Sequence, residues 1–252
     1  MRRQHFEEGG NENMVAFEQK EHYGFEDFRR LVAVLRGPGG CPWDAAQDHH
    51  SIRRNLLEEA YELAQALDRE DLENMKEELG DVLLQVLFHA RLEEEQGRFS
   101  IDEVCDAAVK KLVFRHPHVF GDMAGATPEE ALRNWDAKKR QEKRQRSVSQ
   151  AMADVAETLP ALWRADKLLQ KAEKAGLAPE DAQQARETLK TETARLCTAQ
   201  AVEAEAALGQ TLLAAVRLGR RQGADPERAL HRACERYVEE IRAVEADSAE
   251  KQ

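Results

Sequence analysis

The sequence predicts an all-α protein. Apolar residues recur at intervals of three and four along most of the chain, which is the spacing of one face of a helix. Aromatic residues make up only 6% of the composition, and no long run alternates between apolar and polar residues as a half-buried strand does. The chain should therefore consist of helices joined by short connections.

The helices can be placed in order along the first part of the chain. Residues 1–20 are polar and contain glycines, which predicts a flexible amino-terminal tail. The first helix, over 25–35, ends at the "GPGG" of residues 37–40, and residues 41–52 are predicted to form a loop that leads into the next helix. Further helices are predicted over 52–67, 72–96, 101–114 and 128–143.

The second part of the chain contains an internal repeat. The hydrophilic segment 139–150, "KRQEKRQRSVSQ", is the best candidate for a linker. Downstream, "LGQTLLAAVRLGR" at 208–220 matches "LGDVLLQVLFHAR" at 79–91 in its Leu-Gly, its Leu-Leu pair and its final Arg. The second copy keeps the apolar positions of the first but has Ala207 and Gln210 in place of two acidic residues.

Composition excludes several classes of protein. With 252 residues, of which 42% are hydrophobic, the chain can bury one large core or two modest ones. The net charge of -11 argues against binding to DNA or RNA polymers, which requires clustered Lys and Arg. The four cysteines are widely spaced and predict neither a disulfide framework nor a zinc ribbon. The longest apolar stretch, 82–88, is too short to span a bilayer, so we expect a cytoplasmic protein with no membrane partner.

An acidic stretch at 58–81 raises the question of function. "EEAYELAQALDREDLENMKEELGD" contains ten carboxylates and two basic side chains, yet its apolar residues keep helical spacing. At about 100° per residue, Glu59 and Glu62 lie on one side of an apolar stripe centred near Ala60. Glu78 and Asp81 lie on the same side of a stripe centred near Leu79. The stripe residues are Leu56, Ala60, Leu63, Ala64 and Leu67 in the first helix, and Leu72, Met75, Leu79, Val82, Leu83, Val86 and Ala90 in the second.

These four carboxylates predict a cation site. Two helices joined by a short turn pack antiparallel, with their stripes facing each other, which places the four carboxylates at one margin of the pair. A single Glu is usually a solvated surface residue, but two like-charged pairs on facing helices repel each other unless a cation lies between them. Ligation by oxygen alone suits Mg²⁺, or Mn²⁺, better than zinc or copper. Because Mg²⁺ recruits phosphate oxygens as further ligands, the cluster indicates a phosphorylated substrate.

The same residues carry a resemblance to a known family. Glu-Glu-x-x-Glu, a spacer and Glu-x-x-Asp, in "LLEEAYELAQAL" and "KEELGDVLLQ", resemble the signature of the MazG family of nucleoside triphosphate pyrophosphohydrolases. The upstream "GCPWDAAQDHHSIRRNLLEEAYE" and the downstream "KKLVFRHPHVFGD" and "ALRNWDAKKRQEK" resemble further segments of the family, so the likeness covers about residues 25–145. One departure is Gln47-Asp48-His49, where relatives commonly have Gln-Thr-His.

The resemblance implies hydrolysis of NTP or dNTP between the α and β phosphates, giving the monophosphate and pyrophosphate with Mg²⁺. It also implies a homodimer of tandem MazG-like helical domains of the four-helix-bundle type, the second of them degenerate. Carried over by position, it implies the following roles. The metal ligands are Glu59, Glu62, Glu78 and Asp81, the catalytic base candidates are Glu58 and Glu59, and the nucleotide-contacting residues are Lys111, Arg115, Trp135 and Lys139.

The resulting domain prediction is a flexible tail at 1–20, a catalytic domain at 21–145 and a degenerate, structural repeat at 150–246. In the repeat, Lys190 also replaces a glutamate of the first copy. The alternative is a non-catalytic nucleotide-sensing or helical interaction protein of the same fold. A di-iron oxidase is disfavoured, because none of the eight histidines follows a Glu at the required i, i+3 spacing.

Several remaining residues are assigned structural roles. Trp43, beside Pro42, is predicted to pack in the core. His116 and His118 flank a proline in a predicted turn and are interpreted as structural. A zinc site formed by Cys41 with His49 and His50 is disfavoured by their spacing. Leu84 and Phe88 lie opposite the main apolar stripe of their helix, which predicts that a partner subunit or the second repeat covers that side.

Overall fold

The computed structural model describes residues 17–121, 127–142, 147–177 and 181–250. Every regular element in these ranges is an α-helix, which confirms the predicted all-α class. The helices are α1 (Phe25–Arg36), α2 (Pro42–Ala45), α3 (Arg53–Arg69), α4 (Leu72–Glu95), α5 (Ile101–Arg115), α6 (Pro117–Phe120), α7 (Pro128–Glu142), α8 (Val148–Ala153), α9 (Ala161–Lys174), α10 (Ala182–Thr198), α11 (Ala201–Arg221) and α12 (Pro226–Glu250). Among the described helices, none is both long enough and apolar enough to cross a membrane.

Backbone contacts divide the chain into two compact units, residues 1–135 and 136–252, with the boundary inside α7. In the first unit, α3 and α4 form a helical hairpin, and α1 and α5 pack against α4. In the second unit, α10 and α11 form a hairpin, and α9 and α12 pack against α11. Each unit therefore places one helix before and one helix after a central hairpin.

The first hairpin owes its shape to a tight turn. Glu70 closes α3 in the left-handed region, at φ 55°, and its N–H donates to the last carbonyls of the helix. Asp71 begins α4 as its N-cap, because its carboxylate accepts a hydrogen bond from the backbone N–H of Asn74 at 3.2 Å. With so short a connection, α3 and α4 run antiparallel and in contact along their length.

The core of the first unit lies around the carboxyl-terminal half of α4. Its buried members come from α1, α4, α5 and the segment before α3, and Phe28, Leu83 and Leu84 pack against them. They are Val32, Ile52, Leu87, Phe88, Ala90, Leu92 and Ile101. Phe88 is thus buried within the first unit, which contradicts the prediction that a partner subunit or the second repeat covers it, and Leu84 is half-buried against the same core.

The predicted apolar stripe of the first hairpin is only partly buried. Leu79, at its centre on α4, is 53% exposed, and Leu67, Leu72 and Val86 are exposed as well. Helix α4 is apolar on two sides, and periodicity identifies both sides without indicating which of them the unit covers. The stripe expected inside the hairpin therefore remains an exposed apolar face of the first unit.

The predicted helix limits in the first part of the chain agree with the structure to within two residues. The connections agree less well. The predicted loop at 41–52 contains the single turn α2, and Trp43, expected in the core, is 60% exposed. The predicted linker at 139–150 is helical at both ends, since α7 extends to Glu142 and α8 begins at Val148; residues 143–146 lie outside the described ranges. So does most of the predicted tail at 1–20.

Candidate metal centre

Three acidic side chains converge on the first hairpin. Glu59 comes from α3, and Glu78 and Asp81 come from α4. One carboxylate oxygen from each lies within 4.8 Å of the other two, and all three residues are half-buried. The spacing of three places Glu78 and Asp81 on one side of α4, and the tight turn places Glu59 opposite them. The cluster is therefore a direct product of helix periodicity and hairpin geometry.

The carboxylates of the cluster oppose one another's ionisation. Burial raises the pKa of Glu59, and the charges of Asp81 and Glu62 raise it further. Burial likewise raises the pKa of Glu78, with Glu62 and Asp81 adding to the effect. A carboxyl group whose pKa is raised by folding stabilises the fold at pH values below its pKa in the unfolded chain, which is about 4.3. This contribution is lost as pH rises through its pKa in the folded protein. At neutral pH, the ionised cluster therefore opposes folding in the protein without metal.

One atom of the cluster has no partner for its charge. The Oε2 atom of Glu78 is buried and has no hydrogen-bond partner. An unsatisfied buried carboxylate oxygen is costly, because it has lost water without gaining a donor. A hard divalent cation would give this oxygen a partner and would favour the ionised form of each carboxylate. The donor set, entirely of carboxylate oxygens, fits Mg²⁺ or Mn²⁺.

The other two predicted acidic residues differ in their relation to the cluster. Glu62 is exposed, but its carboxylate is close enough to raise the pKa of both Glu59 and Glu78. Glu58 is exposed and forms an ion pair with Arg54 on the same helix, with Oε1 2.6 Å from Nε. The structure thus brings Glu62 to the edge of the cluster and directs Glu58 to a surface ion pair.

No second group of this kind occurs in the described ranges. In these ranges, only Glu59, Glu78 and Asp81 bring the ligand atoms of three His, Cys, Asp or Glu side chains so close together. Cys41, His49 and His50 do not form such a group. The described part of the second unit has no such group either.

Two of the predicted nucleotide-contacting residues lie together. Arg115, buried at the end of α5, places its guanidinium over the indole ring of Trp135 on α7, 5.0 Å from the ring centroid. Lys111 is exposed one turn earlier on α5, and Lys139 lies one turn after Trp135 on α7, beyond the unit boundary. An indole beside a guanidinium offers a stacking surface next to a phosphate-binding fork.

A histidine that the sequence analysis interpreted as structural joins this pair. The ring of His116 meets the indole of Trp135 edge to face, with centroids 4.9 Å apart. Its Nδ1 donates a hydrogen bond to the carbonyl oxygen of Leu112 at 2.6 Å, which fixes the ring plane. In the sequence, the feature that could have indicated this contact is the position of His116 directly after Arg115, at the end of a predicted helix.

Comparison with known proteins places these features in a family. Residues 47–120 match the model of the MazG nucleotide pyrophosphohydrolase domain, and this segment contains all five acidic residues predicted for the site. The chain is 38% identical over 222 residues to the nucleoside triphosphate pyrophosphohydrolase/pyrophosphatase MazG of Thermotoga maritima, covering 88% of this chain and 85% of that protein. It is 36% identical over 227 residues to the nucleoside triphosphate pyrophosphohydrolase of Escherichia coli K12, covering 86% of each.

The match to a third relative covers a smaller part of both proteins. The uncharacterised protein YabN of Bacillus subtilis is 48% identical over 147 residues, which is 58% of this chain and 30% of that protein. The chain therefore spans under a third of YabN but most of the other two relatives.

Proposed function

Because the chain belongs to the MazG family of nucleotide pyrophosphohydrolases, we propose that it hydrolyses nucleoside triphosphates between the α and β phosphates, using Mg²⁺ held by the acidic cluster. The products are the monophosphate and pyrophosphate. The observation that carries the proposal is the convergence of Glu59, Glu78 and Asp81 within the segment that matches the family model.

In the proposed mechanism, Glu59, Glu78 and Asp81 hold the cation, and Glu62 completes the ligand set from the edge of the cluster. Bound Mg²⁺ supplies Lewis-acid stabilisation of the phosphoryl oxygens and lowers the pKa of water; Mn²⁺ can replace it. Glu58 and Glu59 are the candidates for the proton acceptor. Glu59 lies in the cluster itself, whereas Glu58 is exposed and forms an ion pair with Arg54.

Nucleotide binding is assigned to basic and aromatic residues of α5 and α7. Arg115 binds phosphate oxygens as a fork, Lys111 and Lys139 add positive charge, and Trp135 stacks on the base. The contact between Arg115 and Trp135 supports this assignment, because it brings two of the assigned residues side by side. The substrates are free nucleotides rather than nucleic acid polymers, and we place the protein in the cytoplasm, where such nucleotides are found.

The test of this function is the identity of the first products. The protein should be incubated with each canonical NTP and dNTP and MgCl₂, without added pyrophosphatase, and the products separated by anion exchange. We expect monophosphate and pyrophosphate in equal amounts, and no turnover in EDTA. Diphosphate with orthophosphate as the primary products would contradict the proposed bond cleavage. Binding of nucleotide without turnover would favour the nucleotide-sensing alternative.

The second unit is proposed to support the first without chemistry, with a catalytic domain at about 21–145 and a degenerate repeat at 150–246. Ala207 and Gln210 occupy the repeat positions of Glu78 and Asp81, and Ala207 is buried. Lys190 is exposed on α10 and pairs with Glu187 at 2.9 Å. These residues offer no set of carboxylates to a cation.

We further propose that the exposed apolar face of the first hairpin binds a second copy of the chain. Leu67, Leu72, Leu79 and Val86 are each at least 40% exposed, and an apolar face of this extent is typical of a protein interface. Sedimentation should give a mass of about 57 kDa, twice the 28.6 kDa of one chain. Leu67→Glu should shift the protein toward the monomer, whereas Val202→Glu, at an exposed apolar residue of the second unit, should not. A wild-type mass of one chain would contradict the dimer.

A further inference from the structure

The start of α3 is weakly stabilised by its own sequence. Its N-cap is Ile52, whose side chain cannot accept a hydrogen bond from the first turn. Arg53 and Arg54 follow, and the first turn contains no acidic residue. Two positive charges at the amino-terminal end of a helix are unfavourable, because the helix dipole is positive there. Contacts with the rest of the unit must therefore hold this end of α3, the helix that carries Glu59 and Glu62.

A partly buried chain of hydrogen bonds provides such a contact. His49, just before α3, lies beside His89 of α4, with their Nδ1 atoms 2.8 Å apart and their rings parallel within 5°. The Nε2 atom of His49 lies 2.5 Å from Oε1 of Glu93, one turn further along α4. Glu93 is buried and also forms an ion pair with Arg98, whose Nε lies 2.6 Å from Oε2. The segment before α3 thereby contacts α4 at two residues, His89 and Glu93.

The protons of this chain can be assigned from its geometry. The hydrogen bond from His49 lowers the pKa of Glu93, and Arg98 lowers it further, so Glu93 is an ionised acceptor and His49 Nε2 is the donor. Only one proton can lie between the two Nδ1 atoms. When the pair is neutral, His89 donates from Nδ1 to the bare Nδ1 of His49. The Nε2 atom of His89 then carries no proton.

The surroundings of His89 disfavour a further proton. Its Nε2 atom is buried and has no hydrogen-bond partner, so a proton there would have no acceptor. Burial lowers the pKa of His89, and the adjacent His49 lowers it further. The charged side chains near His89 already have other partners. Glu93 binds His49 and Arg98; Arg91 binds Glu94 and Glu95; and Arg36 of α1 binds Glu95 and the carbonyl oxygens of Asp44 and Gln47.

We propose that His49, His89 and Glu93 form a positioning latch that holds the start of α3 against α4, and that protonation of His89 opens it. The turn at Glu70 and Asp71 places Glu59 and Glu62 on the side of Glu78 and Asp81, and the latch holds the opposite end of α3 in that position. Since the folded-state pKa of His89 lies below its ordinary value of about 6.5, the latch stabilises the fold above that pH, and this contribution is lost as pH falls through the folded value. The latch itself is independent of the proposed function; only its effect on metal binding rests on that function.

The test is hydrogen exchange in the full chain without metal. Amide protection over residues 53–58 is measured at pH 7.5 and 5.5, corrected for intrinsic exchange, in wild type, His89→Asn and His89→Leu. Asparagine can donate from Nδ2 near the position of the histidine Nδ1 but does not titrate. Wild type should lose up to about tenfold more protection than His89→Asn on acidification. His89→Leu should be poorly protected at both pH values. The first turns of α10, which Asp181 caps with a side-chain hydrogen bond, are the internal control.

Equal loss of protection in wild type and His89→Asn would overturn the latch. If the variants do not fold, a measurement on wild type alone still tests the latch. Ring ¹⁵N spectra of wild type should show His89 titrating below about pH 6.5. Titration of His89 at or above that pH would also overturn the latch. Binding of Mn²⁺, followed by electron paramagnetic resonance, separates this inference from the proposed function. With the latch intact, Mn²⁺ affinity should fall further between pH 7.5 and 5.5 in wild type than in His89→Asn. If wild type binds no Mn²⁺ at pH 7.5, the proposed function is wrong, and hydrogen exchange alone decides the latch.

Discussion

Replacing Asp81 with asparagine is expected to lower kcat/KM for nucleoside triphosphate hydrolysis by about 100-fold or more, because a metal ligand contributes several kcal/mol of charge stabilisation. Asparagine keeps the shape of the side chain but removes the charge that binds the cation. Asp81 is half-buried among Glu59 and Glu78, and no other described group of side chains could take over the cation. The loss should appear with either Mg²⁺ or Mn²⁺, and the circular dichroism of the helices should not change.

Thermal unfolding of the same variant provides a second measurement. Because the charge of Asp81 raises the pKa of Glu59 and Glu78, its removal should make the protein more stable than wild type in EDTA at neutral pH. Mg²⁺ at a hundredfold excess over its dissociation constant should stabilise wild type by about 2.7 kcal/mol, and Asp81→Asn by clearly less. The matched control is Glu73→Gln, which removes an exposed carboxylate from α4 outside the cluster. Normal turnover in folded Asp81→Asn would mean that the metal site lies elsewhere.

Placing a glutamate at position 207 should destabilise the protein by about 3–5 kcal/mol, as expected of an unpaired charge in a packed interior. Ala207 occupies the repeat position of Glu78 but is only 1% exposed. Close by, Thr211 bridges the second hairpin, with its hydroxyl 3.0 Å from the carbonyl oxygen of Glu192 on α10 and 2.9 Å from that of Ala207. The second hairpin is therefore packed where the first has room for a carboxylate. Urea unfolding of Ala207→Glu measures the cost.

The control for this substitution is Gln210→Glu, at the repeat position of Asp81. Gln210 is exposed, so this variant should stay within about 0.5 kcal/mol of wild type. In a chain that also carries Asp81→Asn, neither substitution should restore turnover, because α10 does not supply the facing pair of acids. Equal stability of the two variants, or recovered activity in either, would show that the second unit can still hold a cation.

The features that the sequence predicted correctly are those that depend on the spacing of residues close together in the chain. Helix limits follow from the apolar period, and the meeting of Glu59, Glu78 and Asp81 follows from that period and one short turn. What it missed depends on packing between distant segments. Periodicity identified two apolar sides on α4 but not that the unit would cover Leu84 and Phe88 and leave Leu79 exposed.

The contacts among polar and aromatic side chains could not be predicted for the same reason. His49 and His89 are 40 residues apart, and neither residue belongs to a motif that indicates its partner. Arg115 and Trp135 were identified separately by resemblance, but their contact, and that of His116 with the same indole, depends on how α7 lies beside α5. The exposure of Trp43 also follows from the surface position of α2, which was predicted to be loop.

The tight turn at Glu70 and Asp71 restricts how this gene segment can evolve. Each residue added to or removed from a helix rotates everything beyond it by about 100° around the helix axis. A single-codon insertion between Glu59 and Asp81 would therefore turn one of these acidic side chains away from the other. The turn between the helices is too short to accommodate the extra residue without this rotation. Substitutions at the exposed positions between these two residues, apart from Glu62, Glu78 and the turn, disturb the cluster less. The interval should therefore vary in composition among descendants of this gene while its length stays fixed.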